Sequence, residues 1–182
     1  AFIANGAIGL GEGSSRNVAV EFGSWDGRWI QGLFQSHEVH YDACFVFEAE
    51  PSFWERVRRV AETYGCQFFP KAVWERSGNV PFHRQLRRGN GSHWLQGQGS
   101  SVFGNGVFGK PNAATVPALD VADFFKTYLQ ASDNIHVRMD IEGSEYPVMR
   151  RLITTGLACW INTLELEVHA MYNSVNFNKL HL

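Results

Sequence analysis

Hydrophobic and polar residues along this chain follow two alternating patterns, short apolar runs and apolar positions at helical spacing. Apolar runs typical of buried strands cover 17–23, 43–51, 66–74, 135–140 and 161–169. Helical spacing covers 29–35 weakly and then, more clearly, 52–65, 121–130 and 144–156. This strand–helix alternation predicts an α/β fold with a doubly wound, Rossmann-like, mostly parallel sheet.

Local signals mark where some of these elements begin and end. Ser52 and Glu55 have the spacing of a capping box, and Ser144 is placed to cap the last helix. Pro70 lies inside the third apolar run, where it predicts an interruption or a sheet edge. The run 77–85 suggests a short hairpin arm.

The composition changes between 86 and 114. Seven glycines fall between Gly89 and Gly109, and order resumes at 115–120. Long irregular segments in compact domains tend to be functional, so we expect a lid or an irregular insertion here. Four of its side chains have rings suited to stacking on sugar faces: His93, Trp94, Phe103 and Phe108.

The overall composition is that of a globular protein. With 182 residues, 45% hydrophobic and 19% charged, the chain is expected to form one domain, 1–182, with its core at about 17–169. The net charge of −2 gives no electrostatic basis for binding nucleic acid. No apolar run is long enough to span a membrane. The first residue is not Met, so a targeting segment would lie upstream and no compartment is assigned.

Three cysteines, Cys44, Cys66 and Cys159, form an odd set without C-x-x-C spacing. This pattern disfavours a disulfide framework and a zinc ribbon. Cys44 and Cys66 adjoin apolar runs, so we expect them to be small buried thiols.

Acidic residues and one histidine cluster where two strands are predicted to end. Asp140, Glu142 and Glu145 share a strand-to-helix turn, and Glu167 and His169 close the last strand. Ligands of open α/β sheets bind at these ends. Asp140 is placed to bind substrate, act as a base or help hold a divalent metal, although a metal is not favoured. Glu145 in a first helical turn equally serves to offset the helix dipole.

Candidate catalytic residues come from this cluster. His169 is the best general-base candidate, because the ordinary pKa of histidine lies near neutral pH. Asp140 and Glu142 are the other two candidates. The pair His37 and His40 lacks the acidic context of a zinc helix and is expected at the surface.

The ends of the first two strands suggest a cofactor. The first strand ends in E-x-G-x-x-x-G, which differs from G-x-G-x-x-G and disfavours a nicotinamide oxidoreductase. A carboxylate beside a glycine turn suits a ligand with a cationic end, and Glu50 follows the second strand, where an acid can bind a ribose diol. Together these features describe S-adenosylmethionine. The candidate cofactor-binding residues are Glu21, Gly23, Ser24, Gly27, Glu50 and Asp140.

Five segments in order resemble the FkbM-type family of S-adenosylmethionine-dependent methyltransferases: VEFGSWDG, VFEAEP, TVPALD, MDIEGSEYPVMRRLI and LELEVH. The most specific part is D-I-E-G-S-E followed by E-V-H, and TTGLACWINTLELEVH looks closest to eukaryotic members. Trp25 stands where the family often has Asn. The family fold normally adds two further strands, whereas this sequence stops about thirteen residues after His169. Either the sequence continues beyond this point, or the sheet lacks the terminal strand pair.

The resemblance implies a class I methyltransferase fold and methyl transfer to a hydroxyl of a glycan or small molecule. The alternative hypothesis is a methyltransferase-like subunit without catalysis that serves as a structural component of a larger assembly. In that case a protein partner would complete the exposed sheet edge.

Overall fold

The structure, a computed structural model, describes residues 15–84, 100–102 and 113–169. Most of the predicted lid, with its four ring-bearing side chains, lies outside these ranges. None of the helices within them is long and apolar enough to cross a membrane.

Eight strands and four helices follow one another along the described chain. The strands are β1 (Asn17–Phe22), β2 (Ala43–Phe47), β3 (Gln67–Phe69), β4 (Ala72–Trp74), β5 (Gly78–His83), β6 (Ala113–Asp120), β7 (Asn134–Met139) and β8 (Ile161–Leu166). The helices are α1 (Arg28–Gln35), α2 (Trp54–Thr63), α3 (Val121–Tyr128) and α4 (Glu145–Thr154), with 3-10 turns at Pro51–Phe53 and Leu157–Trp160.

The main sheet has five parallel strands in the order β3-β2-β1-β7-β8. The strand order reverses at β1, which makes the gap between β1 and β7 the topological switch point. The predicted α/β fold with a doubly wound parallel sheet is therefore confirmed. Within the ranges that the structure describes, no strand follows β8.

Alternating side chains of β1 face two separate apolar layers. Val18, Val20 and Phe22 pack into the layer that contains the buried side chains of α3 and α4. Ala19 faces the opposite layer, built mainly from α1 and α2. Coverage on both faces explains why β1 is apolar from Val18 to Phe22, with one exception, Glu21.

The third apolar run is divided between two sheets. Pro70 separates β3, an edge strand of the main sheet, from β4, so the predicted interruption is confirmed. β4 belongs to a second sheet of order β4-β6-β5. Within the run 77–85, Gly78–His83 forms β5, which pairs antiparallel with β6 and not with its chain neighbour β4. A long-range pairing of this kind has no local sequence signal.

Cys44 and Cys66 form a disulfide, so the prediction of two buried thiols is wrong. The parallel register pairs Phe45 with Gln67, which brings the two preceding cysteines together at the start of β2 and β3. Register between strands cannot be deduced from cysteine spacing, and the odd cysteine is Cys159, which is free and exposed.

Two helix starts and one strand end differ from the predictions. The capping box is absent: α2 begins at Trp54 without a side-chain cap, and Ser52 instead donates to Glu50 from both its amide and its hydroxyl. Ser144 precedes α4 without capping it, because the Glu145 carboxylate accepts the amides of the turn. β8 ends at Leu166, so Glu167 and His169 lie beyond the strand.

Candidate functional site

A cavity of about 440 Å³ opens at the carboxyl ends of β1, β2 and β7. Its wall includes five of the residues that the sequence predicts for the site: Gly23, Glu50, Asp140, Glu142 and His169. Three other predicted residues, Glu21, Ser24 and Gly27, are not part of the wall.

Gly23 allows β1 and β7 to approach each other at the cavity. Its φ of +82° is a backbone conformation that side chains disfavour, and a Cβ there would lie 1.9 Å from the carbonyl oxygen of Asp140. Gly27 also has positive φ, and a Cβ there would meet Val60 of α2 at 2.9 Å. Packing therefore requires both glycines of the E-x-G-x-x-x-G turn.

Trp25 has a φ of +52°, in the left-handed region. Asn adopts this region far more readily than a bulky residue does. Trp25 therefore holds this conformation at a cost in strain.

Glu21, the predicted partner of a cationic ligand, is completely buried below the cavity. Its carboxylate accepts a hydrogen bond from the Ser24 hydroxyl at 2.7 Å, and Arg138 Nη1 lies 3.5 Å from its other oxygen. Burial raises the pKa of Glu21 to about 8, against the opposing effects of Ser24 and Arg138. The geometry gives Glu21 a role in supporting the turn, and its contact with a ligand stays a prediction.

Glu48, immediately after β2, is a wall residue that the sequence interpretation missed. Its two oxygens accept the amides of Trp25 at 2.6 Å and Glu50 at 2.7 Å, so it links the turns after β1 and β2. Burial raises the pKa of Glu48 to about 7, although these amides lower it. The available signal was its position, since it directly follows the last residue of a buried strand.

Glu50, the predicted ribose acid, lines the cavity and pairs with Arg84. The guanidinium Nε lies 3.0 Å from each carboxylate oxygen, and Nη2 also contacts Oε1. Ser52 and Ser100 donate to the same carboxylate. Burial opposes ionisation, but the hydrogen bonds of Arg84 and Ser52 outweigh it and lower the pKa of Glu50. A ribose diol at this acid would compete with Arg84.

Four carboxylates surround the imidazole of His169 at the other end of the cavity. Nδ1 lies 3.0 Å from Glu145 Oε1. Nε2 lies 3.8 Å from Asp140, 3.4 Å from Glu142 and 3.6 Å from Glu167. The sequence prediction that these five residues meet is thus confirmed by the geometry.

Glu145 holds this arrangement in place. Its buried carboxylate accepts the amides of Ile141 at 3.0 Å and Gly143 at 2.8 Å in addition to facing His169. The turn that results puts Glu142 at a φ of +54°, in the left-handed region. The carboxylate is therefore fixed by the loop it organises, beyond any effect on the helix dipole.

The pKa values within the cluster shift in the same direction. The hydrogen bond of Glu145, together with the charges of Glu142 and Asp140, raises the pKa of His169 to about 9. Burial raises the pKa of Glu142 to about 7 and also raises the pKa of Asp140. His169 therefore holds its proton at neutral pH, which opposes its predicted role as general base.

Three residues of the cluster have the donor set of a metal site. One ligand atom each from Asp140, Glu142 and His169 lie within 4.8 Å of one another. Arg138 limits this negative charge from one side, since Nη2 lies 3.0 Å from Asp140 Oδ2. Arg138 lies within the strand β7, and nothing in the sequence marked it as part of the site.

Glu165, two residues before Glu167 in β8, lies away from the cavity. Its carboxylate is 2.7 Å from Nε2 of His136 and accepts from the indole of Trp29 at 3.1 Å. Period two places these acids on one side, but only those beyond the strand end reach the cavity.

No family model and no curated protein match the sequence. Among solved structures, the chain is similar to methyltransferase FkbM from Methylobacillus flagellatus KT, at 14% sequence identity and a TM-score of 0.48. The match covers 76% of this chain and 29% of that chain. The residues around the cavity, and not this similarity, therefore decide which function the chain supports best.

Proposed function

We propose that the chain is an S-adenosylmethionine-dependent O-methyltransferase that acts on a hydroxyl group of a glycan or small molecule. The observation that carries this proposal is that one cavity joins the glycine turn after β1, the acids after β2 and the Asp140–Glu142–His169 cluster. This cavity lies at the switch point of a doubly wound sheet, where such sheets bind ligands. The resemblance of five sequence segments to FkbM-type methyltransferases supports the same function.

The cavity fits the cofactor in size and in chemistry. Its volume of about 440 Å³ lies within the range of small-molecule sites. Glu48 and Glu50 offer carboxylate oxygens to ribose hydroxyls, and Asp140 offers negative charge to the cationic part of the molecule. Lys71, another wall residue, offers an ammonium group to a carboxylate. The rings of the wall provide an apolar surface for a base: Phe47, Phe53 and Phe82.

S-adenosylmethionine, when bound, supplies a methyl group whose transfer forms an oxygen–carbon bond and breaks a sulfur–carbon bond. The hydroxyl proton must pass to a base of the chain. Glu142 suits this role, because its pKa of about 7 lies near working pH and it lines the cavity. His169, which keeps its own proton, stabilises the ionised carboxylates around it.

Calorimetric titration with S-adenosylhomocysteine tests the proposal. We expect saturable binding by the full chain and at least about tenfold weaker binding by Glu50→Gln, which loses its charge toward the ribose. Glu55→Gln is the matched control, since Glu55 is an exposed acid of α2 that pairs with Arg59 outside the cavity. Equal binding by both variants would contradict the assignment of Glu50.

A second variant separates the effect of Arg84 from that of Glu50. If Arg84 competes with the ribose, Arg84→Met frees the Glu50 carboxylate and tightens binding of S-adenosylhomocysteine. If Arg84 instead orders Glu50 for the ligand, the same variant weakens binding. Circular dichroism of each variant must first show that the fold is retained.

The pairing of Glu50 with Arg84 also favours a second candidate function, a structural subunit without catalysis. The acid predicted to bind ribose is already fully engaged by its own chain. Leu166 at the end of edge strand β8 and Val168 beyond it are exposed, so a protein partner could complete the sheet here. Failure of the folded full chain to bind S-adenosylhomocysteine would make this candidate the better one.

A further inference from the structure

The end of the cavity near α4 contains polar atoms without a partner. Ser144 is buried, lines the cavity and lies between Glu142 and Glu145 in sequence. Among the residues that the structure describes, its Oγ has no hydrogen-bond partner, and neither has the indole Nε1 of Trp25 in the same wall. A buried hydroxyl without a partner is costly unless a ligand or a ligand's water reaches it.

Donor atoms of three described side chains converge at this end of the cavity. Asp140, Glu142 and His169 each direct one ligand atom into a space less than 4.8 Å across. Arg138 contacts Asp140 from the side of β1 and Glu21, where it also donates to the carbonyl oxygen of Gly23. These carboxylate and imidazole atoms therefore lie close enough together to share one small cation.

The second nitrogen of His169 has the environment usual for a metal ligand. Metal-binding imidazoles generally donate their other ring N–H to a carboxylate, which fixes the ring. Nδ1 of His169 lies 3.0 Å from Glu145, whose oxygens are themselves held by two backbone amides. This leaves Nε2 directed toward Asp140 and Glu142.

We propose that Asp140, Glu142 and His169 bind a divalent cation of the Mn²⁺ type at this end of the cavity. Two carboxylate oxygens and one imidazole form a mixed oxygen–nitrogen set without thiolates. Carboxylates suit Mg²⁺, Ca²⁺ and Mn²⁺, whereas imidazole is typically a ligand of first-row transition metals; Mn²⁺ belongs to both groups. Ser144, a residue of the same cavity wall, offers an unpartnered hydroxyl to a water or substrate oxygen.

The inference deepens the proposed function and rests on it for its substrate class. The cation takes the place of the proton on Nε2 of His169, and Glu142 then acts as a ligand instead of as a free base. The proton of the acceptor hydroxyl then passes to Glu167 in the same cavity wall. The three ligands line the cavity, so a cation there is open to an oxygen of the acceptor. Coordination lowers the pKa of a bound hydroxyl and favours release of its proton. An acceptor with two neighbouring oxygens, such as a vicinal diol of a sugar, would bind best because it can chelate the cation.

Titration of the metal-free full chain with MnCl₂ tests the site, with free Mn²⁺ followed by electron paramagnetic resonance. We expect one saturable site and at least about tenfold weaker binding in Asp140→Asn and in Glu142→Gln, each of which replaces one ligand oxygen conservatively. Glu165→Gln is the matched control. It also removes a carboxylate beside a histidine, here His136 of β7, but this pair lies outside the cavity. Its affinity should stay within twofold of that of the unaltered chain.

Two outcomes would overturn the inference. One is no saturable Mn²⁺ binding by the folded unaltered chain, which would mean that the proton on His169 alone balances the carboxylates. The other is Mn²⁺ binding that Asp140→Asn and Glu142→Gln leave unchanged while their thermal unfolding midpoints show an intact fold. S-adenosylhomocysteine binding by the same preparations separates the two proposals, since its loss contradicts the proposed function and leaves the metal result standing.

Discussion

The strands β7 and β8 position two histidine–glutamate pairs that differ in their surroundings. His136 lies in the middle of β7, where Glu165 Oε1 is 2.7 Å from Nε2, the hydroxyl of Tyr41 is 3.0 Å from Nδ1, and Trp29 packs edge-on. His169 lies past the end of β8 and faces four carboxylates. Of the two histidines, His169 lines the cavity and His136 does not.

The difference shows that position along the strands decides the chemistry of a residue pair. At mid-strand, His136 pairs with Ala19 in the register of β1. One of its ring nitrogens faces the neutral hydroxyl of Tyr41, and the other faces the single carboxylate of Glu165. Beyond the strand ends, three chain segments meet and bring their acids to one imidazole. The mid-strand pair is thus a local surface interaction, whereas the pair at the cavity depends on the turns after β1 and β7.

The largest expected effect comes from Gly23→Ala, which damages only the cavity side of this comparison. The added Cβ would lie 1.9 Å from the carbonyl oxygen of Asp140, at a φ of +82°, so the turn must move. We expect a loss of about 4 kcal/mol in the free energy of unfolding, measured by urea denaturation. Gly32→Ala in α1 is the control, because nothing lies within 4 Å of its added Cβ and alanine favours helix. Equal stability of the two variants would refute the close approach.

Removal of the disulfide is expected to destabilise the fold while leaving both histidine pairs unchanged. Cys44 and Cys66 are separated by 22 residues and join β2 to the edge strand β3, at the far side of the sheet from β8. Closure of a loop of this length contributes about 3 kcal/mol. Cys44→Ala together with Cys66→Ala should lower stability by this amount, whereas Cys159→Ala, at an exposed free thiol, should not. Loss of Mn²⁺ binding in the double variant would mean that the site is coupled to the sheet edge.

The sequence alone was sufficient to predict the strands of the main sheet and the acidic cluster around His169. Both depend on local patterns of residues. Apolar runs alternating with helical spacing identify every strand of the main sheet, and Asp140 and His169 stand at strand ends that parallel pairing brings together. Arg84 and the disulfide were not predictable in this way. The contact between Arg84 and Glu50 and the pairing of Cys44 with Cys66 each depend on which segments become neighbours in space.

Glu145→Gln and Glu165→Gln compare the two pairs directly. Glu145 is buried and accepts two backbone amides besides facing His169, so the amide group of Gln places a donor against a donor. Charged hydrogen bonds of this kind contribute about 2 kcal/mol. Glu165 is about half exposed, with 49% of its side chain accessible, and its loss should cost no more than about 0.5 kcal/mol. Chemical denaturation of both variants measures the loss of unfolding free energy. A larger loss in Glu165→Gln than in Glu145→Gln would contradict the stronger interaction expected at His169.

The last comparison concerns the slope of stability with pH and the acid beneath the cavity. Burial raises the pKa of Glu21 to about 8 in the folded chain, from an ordinary value of 4.5. Between these values the folded chain holds a proton that the unfolded chain has lost, so this group lowers stability as pH rises, by about 1.4 kcal/mol per pH unit. Glu21→Gln should flatten the decline of the unfolding free energy between pH 5 and pH 8, whereas Glu38→Gln, at an exposed loop position, should not. If the slope of unfolding free energy against pH is the same in Glu21→Gln as in the unaltered chain, Arg138 keeps the Glu21 carboxylate ionised. Arg138, which lies near both Glu21 and Asp140, would then interact mainly with Glu21.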